Sequence, residues 1–126
     1  MDRNSLFVFE KETGTILYYK GTANETIIVP EEIDGVKVKC IGEYAFCKSR
    51  KICVVILPHT IEKIGEGAFY ECKSLISINI PKKVKKIEKN TFYNDTNLEF
   101  IDIKNKDIEI DDKAFYRCYN LKRKNI

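Results

Sequence analysis

The chain has no tryptophan, one methionine, one histidine and three prolines in 126 residues. A single histidine, His59, leaves little material for metal binding or for proton transfer at neutral pH. The five cysteines, Cys40, Cys47, Cys53, Cys72 and Cys118, are odd in number, and no two stand as C-x-x-C. An odd set argues against a complete disulfide framework, and a four-ligand zinc site would draw on a poor pool. No apolar run approaches the roughly 20 residues that a membrane helix needs. An excess of one charge is lacking too: 22 basic residues face 19 acidic ones, for a net charge of +3. That is not the footprint of a dedicated nucleic-acid binder. The N-terminal stretch MDRNSLFVFEKETG has an acid at position 2 and only four apolar residues together, Leu6 to Phe9. It does not read as a secretory leader. The expectation is a chain that stays inside the cell or that is part of something larger. No phosphate loop, paired-carboxylate site or cofactor motif stands out, so no catalytic residue, cofactor or metal site is expected.

What the chain has in plenty is repetition. Phe46, Phe69, Phe92 and Phe115 are each separated by 23 residues. Other columns keep step with them. Six residues after each Phe come Ile52, Leu75, Leu98 and Leu121; nine after come Val55, Ile78 and Ile101; eleven after come Leu57, Ile80, Ile103 and Ile126. Ile41, Ile64, Ile87 and Ile110 form a further column, and Pro58, Pro81 and Lys104 another. A fixed period of this length is the mark of a solenoid.

The spacing inside one period has a physical reading. Val55 and Leu57, Ile78 and Ile80, and Ile101 and Ile103 alternate with period two, as in a short strand with one buried face. A proline after the strand ends it, because proline cannot donate to a ladder. A polar corner follows, such as KKVKK, and then the isoleucine column points inward. Gly42 and Gly65 suggest a tight turn in the first two copies, where Glu88 and Asp111 stand in the next two. Ala45, Ala68 and Ala114 precede the Phe and leave it room to pack, with Thr91 in the third copy. One unit cannot bury these residues alone, so stability becomes a sum over stacked neighbours.

The period lies within the range of leucine-rich repeats, and the words narrow it. IGEGAFYECKSLISINIPKKVKKI, from Ile64 to Ile87, resembles the repeat of the BspA-like, or bacterial surface-antigen, subclass of leucine-rich repeats, whose pattern is similar to I-G-x-x-A-F-x-x-C-x-x-L-x-x-I-x-I-P-x-x-V-x-x-I. GTILYYKGTANETIIVPEEIDGVKVKCIGEYAF resembles that family's N-terminal unit. The third copy departs from the pattern at Thr91, Asp95 and Lys104, and the last stops partway, with Lys124 in an inward column. The resemblance implies a right-handed leucine-rich-repeat superhelix, mainly β, with a parallel concave sheet and short helical turns. The expected layout is one domain over 1–126: an N-terminal unit over 1–40, repeats over 41–63, 64–86 and 87–109, and a partial repeat over 110–126. The resemblance also implies a non-enzymatic binding module that meets another protein, by adhesion or host contact at a cell surface. The alternative is an intracellular or self-associating scaffold.

Several residues are candidates for contact. The outward positions of the strands are Thr26 and Ile28, Val54 and Ile56, Ser77 and Asn79, and Phe100 and Asp102. Such positions are usually polar, so Ile28, Val54, Ile56 and Phe100 suggest a protein-binding face. Lys82, Lys83, Lys85 and Lys86 form a basic corner, with Lys48, Arg50 and Lys51 expected one turn away, which would suit a polyanion if it is not simply solvated. Cys72 and Cys118, two turns and roughly 10 Å apart at a strand spacing near 4.8 Å, are too distant to bridge and read as small buried hydrophobes. Cys47 and Cys53 lie off that slot and are expected to be more exposed. The triplets Asn24-Glu25-Thr26 and Asn94-Asp95-Thr96 match the N-glycosylation pattern, a weak signal by itself. The segment NLKRKNI ends the chain on half a unit, where basic residues would protect an open sheet edge or where a second chain would pair.

Overall fold

The computed structural model describes residues 3–22 and 25–122. The sequon at Asn24 and the inward columns at Lys124 and Ile126 lie outside the described residues. A 3-10 turn at Arg3–Leu6 is followed by β1 (Phe7–Glu10), β2 (Thr15–Tyr19), β3 (Thr26–Ile28), β4 (Glu32–Ile33), β5 (Val36–Lys37), β6 (Cys40–Ile41), β7 (Val54–Ile56), β8 (Lys63–Ile64), β9 (Ser77–Ile80), β10 (Lys86–Ile87), β11 (Phe100–Ile103) and β12 (Glu109–Ile110). The result is a β-solenoid with parallel sheets and little helix.

The period-two segments form the main sheet, in the order β11-β9-β7-β3 and parallel throughout. Its register follows the repeat: Ile101 sits opposite Ile78, and Ile78 opposite Val55. The isoleucine column makes a second wall, in which Ile16, Ile41 and Ile64 lie in parallel register on β2, β6 and β8. Ile87 and Ile110 continue the column in a separate pair, β10 and β12. The N-terminal end departs from the repeat. There β1 lies antiparallel on β2, and β4 and β5 form a hairpin through Asp34 and Gly35. Both turn residues have left-handed φ, 52° and 80°, as a two-residue turn joining twisted strands requires.

The third wall carries the A-F segments as a chain of hydrogen-bonded turns. Phe46 N–H donates to Ala68 O at 2.8 Å, Phe69 N–H to Thr91 O at 2.9 Å and Phe92 N–H to Ala114 O at 2.9 Å. Between these rungs the backbone folds on itself, as where Ala45 N–H bonds Gly42 O at 3.2 Å and Cys47 N–H bonds Tyr44 O at 3.1 Å. Left-handed φ falls two residues to either side of the Phe column: at Tyr44, Gly67 and Asn90 before it, and at Lys48, Glu71, Asn94 and Arg117 after it. Gly42 and Gly65 open the tight turns that the sequence suggested, with Ala45 N–H on Gly42 O and Ala68 N–H on Gly65 O, both at 3.2 Å. A Cβ on Gly65 would lie 2.7 Å from Glu43 N, so this position needs glycine for close approach to the turn before it.

Inside the walls, the columns stack. Phe46, Phe69 and Phe92 are fully buried and Phe115 nearly so. Their rings lie 5.0, 5.6 and 5.4 Å apart, with interplanar angles of 18°, 6° and 3°. Tyr19 continues the stack beyond Phe46 at 5.2 Å, and Phe7 packs edge-on against the same ring at 6.3 Å. Burying one such large side chain contributes about 1.5–3 kcal/mol before entropy is counted.

Candidate functional site

The solvent-facing side of the main sheet is built by the same register that orders the core. One row across the strands runs Thr26, Val54, Ser77, Phe100. The next pairs Ile28 with Ile56 and Asn79 with Asp102. Ile28 is 54% exposed, Ile56 46% and Phe100 51%, while Val54 is half-buried. The structure therefore brings Ile28, Val54 and Ile56 together on two adjacent strands. Phe100 lies two strands from Val54, with Ser77 between them, and carries the Lys122 ammonium 5.3 Å above its ring. Asn79 is already engaged. Its Oδ1 accepts from Leu57 N–H at 2.7 Å, and its Nδ2 donates to Leu57 O at 2.9 Å. The side chain so extends the ladder past the end of β7. Asp102 is exposed and pairs with Lys104 at 2.8 Å.

The basic corner divides. Lys82, Lys83 and Lys85 are exposed, but the Lys86 ammonium lies 3.7 Å from the Glu88 carboxylate and 3.4 Å from that of Glu109. Lys48, Arg50 and Lys51 do not join them. They follow Phe46 on the wall of turns, whereas Lys82 to Lys86 follow β9 on the corner leading to β10. These are different sides of the solenoid.

The cysteines are all free thiols, with Cys72 and Cys118 buried and Cys40, Cys47 and Cys53 half-buried. Cys72 Sγ donates to Phe46 O and Cys118 Sγ to Phe92 O, each at 3.0 Å. Burial pushes the Cys72 thiol well above its ordinary value and raises that of Cys47, the reverse of what an activated nucleophile needs. The two partners that a Cys–His pair would require are engaged elsewhere: Cys53 Sγ with Lys51 O at 3.7 Å, and His59 Nε2 with the Glu31 carboxylate at 2.6 Å. Among the described residues, no group of three or more His, Cys, Asp or Glu is placed to hold a metal ion. No helix among them is long and apolar enough to cross a membrane. Of the glycosylation triplets, Asn94 is half-buried and donates to the Glu71 carboxylate at 3.2 Å.

Sequence reasoning passed over one surface feature. Tyr70, Tyr93 and Tyr116 each follow a column Phe, and their rings stack at 4.8 and 5.6 Å along the outside of the wall of turns. Tyr44 closes the stripe edge-on at 5.8 Å from Tyr70. The signal was present as a tyrosine column one residue beyond the Phe column, broken at the first copy by Cys47.

The BspA type leucine-rich repeat model matches residues 13–126, in six copies. The chain belongs to that family. Among solved structures, the BspA-type chain resembles a leucine-rich cell surface protein of Faecalibacterium prausnitzii, at 29% identity and a TM-score of 0.74 over 91% of this chain and 33% of that one. It resembles a leucine-rich repeat protein of Bacteroides ovatus at 30% identity and 0.71, over 89% and 31%. A T. pallidum leucine-rich repeat protein shares the fold at 23% identity and 0.79, over 93% and 67%. The BspA-type chain thus spans about a third of the first and second of these relatives. Among curated proteins none matches. Repeats of this family are generally protein-interaction modules rather than enzymes.

Proposed function

We propose that this BspA-type chain is a non-enzymatic binding module, one repeat domain throughout, that meets a protein partner with the outer face of its main sheet. The observation that carries this reading is the apolar trio of exposed Ile28 and Ile56 and half-buried Val54 on register-locked strands β3 and β7. Exposed apolar groups that adjoin one another on a rigid surface mark contact sites more often than scattered ones do. Ser77, Phe100 and Asp102 extend the face toward the last turn, and Asn79 supports it from within the sheet. Placement at a cell surface, in adhesion or host contact, draws support from the description of the F. prausnitzii relative as a cell surface protein.

The test compares the native chain with an Ile28→Glu/Ile56→Glu variant in capture from a surface-protein fraction, after thermal unfolding has shown the two equally stable. The expected result is a stoichiometric partner whose affinity falls at least tenfold in the variant. A partner held equally by both would overturn the proposed face. A second reading, a self-associating scaffold, rests on β3 and β11, which are the edge strands of the main sheet among the described residues, because edge strands invite another chain.

A further inference from the structure

A second surface lies on the wall of turns, away from the main sheet. Where the N-terminal unit meets the first repeat, a groove of about 310 Å³ runs between residues 18–22 and residues 47–52. Four cations line it, Lys20, Lys48, Arg50 and Lys51, and no acidic residue does. Among the described residues, none of the four makes an ion pair. Thr22 and Ser49 add hydroxyls to the lining, and Tyr18 adds a ring that is 52% exposed and takes part in no ring stack among the described residues. The Cys47 thiol is raised first by burial, against the charge of Lys48, and then by the charge of Glu71 on the following turn. One oxygen of the Glu71 carboxylate accepts from the Asn94 amide at 3.2 Å, and Glu71 is not among the residues lining the groove.

The groove belongs to this turn alone because of what the repeat changes here. Cys47 holds the position that Tyr70, Tyr93 and Tyr116 hold on later turns, and its small side chain lines the groove. The cations are equally local. The places of Lys48, Arg50 and Lys51 are taken by Glu71, Lys73 and Ser74 one turn on, and by Asn94, Thr96 and Asn97 on the turn after that.

We propose that this groove binds an oxyanion-bearing saccharide, with Lys20, Lys48, Arg50 and Lys51 around its sulfate or phosphate esters and the Tyr18 ring against the sugar. Clustered cations in a recess attract multiply charged oxyanions, guanidinium and ammonium groups bond their oxygens strongly, and an aromatic face supplies apolar contact to a sugar ring. The two ester types share this chemistry, and the assay separates them.

Titration calorimetry on the full chain would use a sulfated heparin tetrasaccharide, an unsulfated tetrasaccharide of the same backbone, glucose 1,6-bisphosphate and inorganic pyrophosphate. The expected result is saturable one-to-one binding of the sulfated tetrasaccharide, the bisphosphate or both, weakening steeply with salt because the cations are exposed. Lys48→Asn/Arg50→Gln should weaken it at least tenfold, since asparagine tolerates the left-handed φ of 58° at position 48. Lys51→Gln serves if that pair fails to fold. Cys47→Tyr should fill the groove and remove binding. Tyr18→Thr should weaken the saccharides several-fold and leave pyrophosphate unchanged. Lys82→Gln/Lys83→Gln/Lys85→Gln should change nothing. Equal binding of the unsulfated sugar, binding of pyrophosphate alone, binding lost in the Lys82 triple variant but kept in Cys47→Tyr, or no saturable binding at low salt would each overturn the proposal.

Discussion

The turn from Ile64 to Lys86 and the turn from Ile87 to Glu109 are built on one plan, and three of the inward or corner exchanges between them bring in a polar group at Thr91, Asp95 and Lys104. Where the earlier turn has Ala68, the later has Thr91, which is buried and donates from Oγ1 to Glu88 O at 2.7 Å. Where the earlier has Cys72, the later has Asp95. Where the earlier has Pro81, the later has Lys104, whose N–H adds a bond to Ile80 O at 3.1 Å that a proline cannot make. Two of the three exchanges are therefore compensated by a new hydrogen bond. The third is compensated by half. Asp95 Oδ1 accepts from Cys72 N–H at 2.7 Å, but Oδ2 is buried without a partner. Burial, the first cause, pushes the Asp95 carboxyl up to about 9, so it is protonated in the folded chain at neutral pH. The repeat thus tolerates polar residues on its inner columns when the backbone next door can receive them, and it is weakened where one oxygen is left over.

The comparison breaks most completely if the stack itself is cut. Phe69→Ala removes the middle of the ring column and should lower the unfolding free energy by about 3–5 kcal/mol, read by urea denaturation. A loss under about 1 kcal/mol would mean that the column is not what joins the turns. Asp95→Asn sharpens the comparison in the opposite direction, because it keeps the acceptor for Cys72 N–H and removes the titration. An unfolded aspartate ionises near 3.9, while in the folded chain Asp95 holds its proton to about pH 9. Its proton therefore favours the folded state fully below about pH 4, and that contribution is lost progressively as pH rises toward 9. The variant's Nδ2 would inherit the unpartnered place, so the variant gains only by losing the titration: it should be more stable than the native chain at pH 7 by on the order of a few kcal/mol, and its advantage should grow between pH 5 and pH 8. A flat difference across that range would show that the carboxyl titrates normally. The smallest effect belongs to Lys104→Pro, which restores the corner residue of the earlier turn but removes the bond to Ile80 O. It should cost about 1 kcal/mol, and a gain would show that the rigid corner outweighs the ladder bond.

Much of this architecture was legible because repetition writes the same physics several times. One alternating pair such as Ile78 and Ile80 is ambiguous, but three at a fixed interval locate a parallel sheet. The N-terminal end was harder to read because it abandons the interval. Tyr19 stacks on Phe46 as the next member of the column, yet it lies 27 residues before it, not 23. Lys20 joins Lys48 across a similar offset of 28, so spacing gave no hint of the groove they share. On the candidate face, the sequence marked the outward positions but not their neighbours. That Ile28 adjoins Ile56 while Ser77 separates Phe100 from Val54 depends on register. That the Asn79 amide is held by Leu57 depends on where β7 ends. The left-handed positions at Lys48, Glu71 and Arg117 had no signal, since those residue types do not ordinarily adopt that conformation.

The apolar trio is the centre of the functional account, and its availability is directly measurable. Light scattering coupled to size-exclusion chromatography, from micromolar to near-millimolar protein at two salt concentrations, would follow the native chain beside Ile28→Glu/Ile56→Glu. The account predicts a mass near 14.7 kDa for both throughout, with the face open to a foreign partner. A native dimer that the double variant dissolves would show that the chain itself covers this face, and would contradict the account.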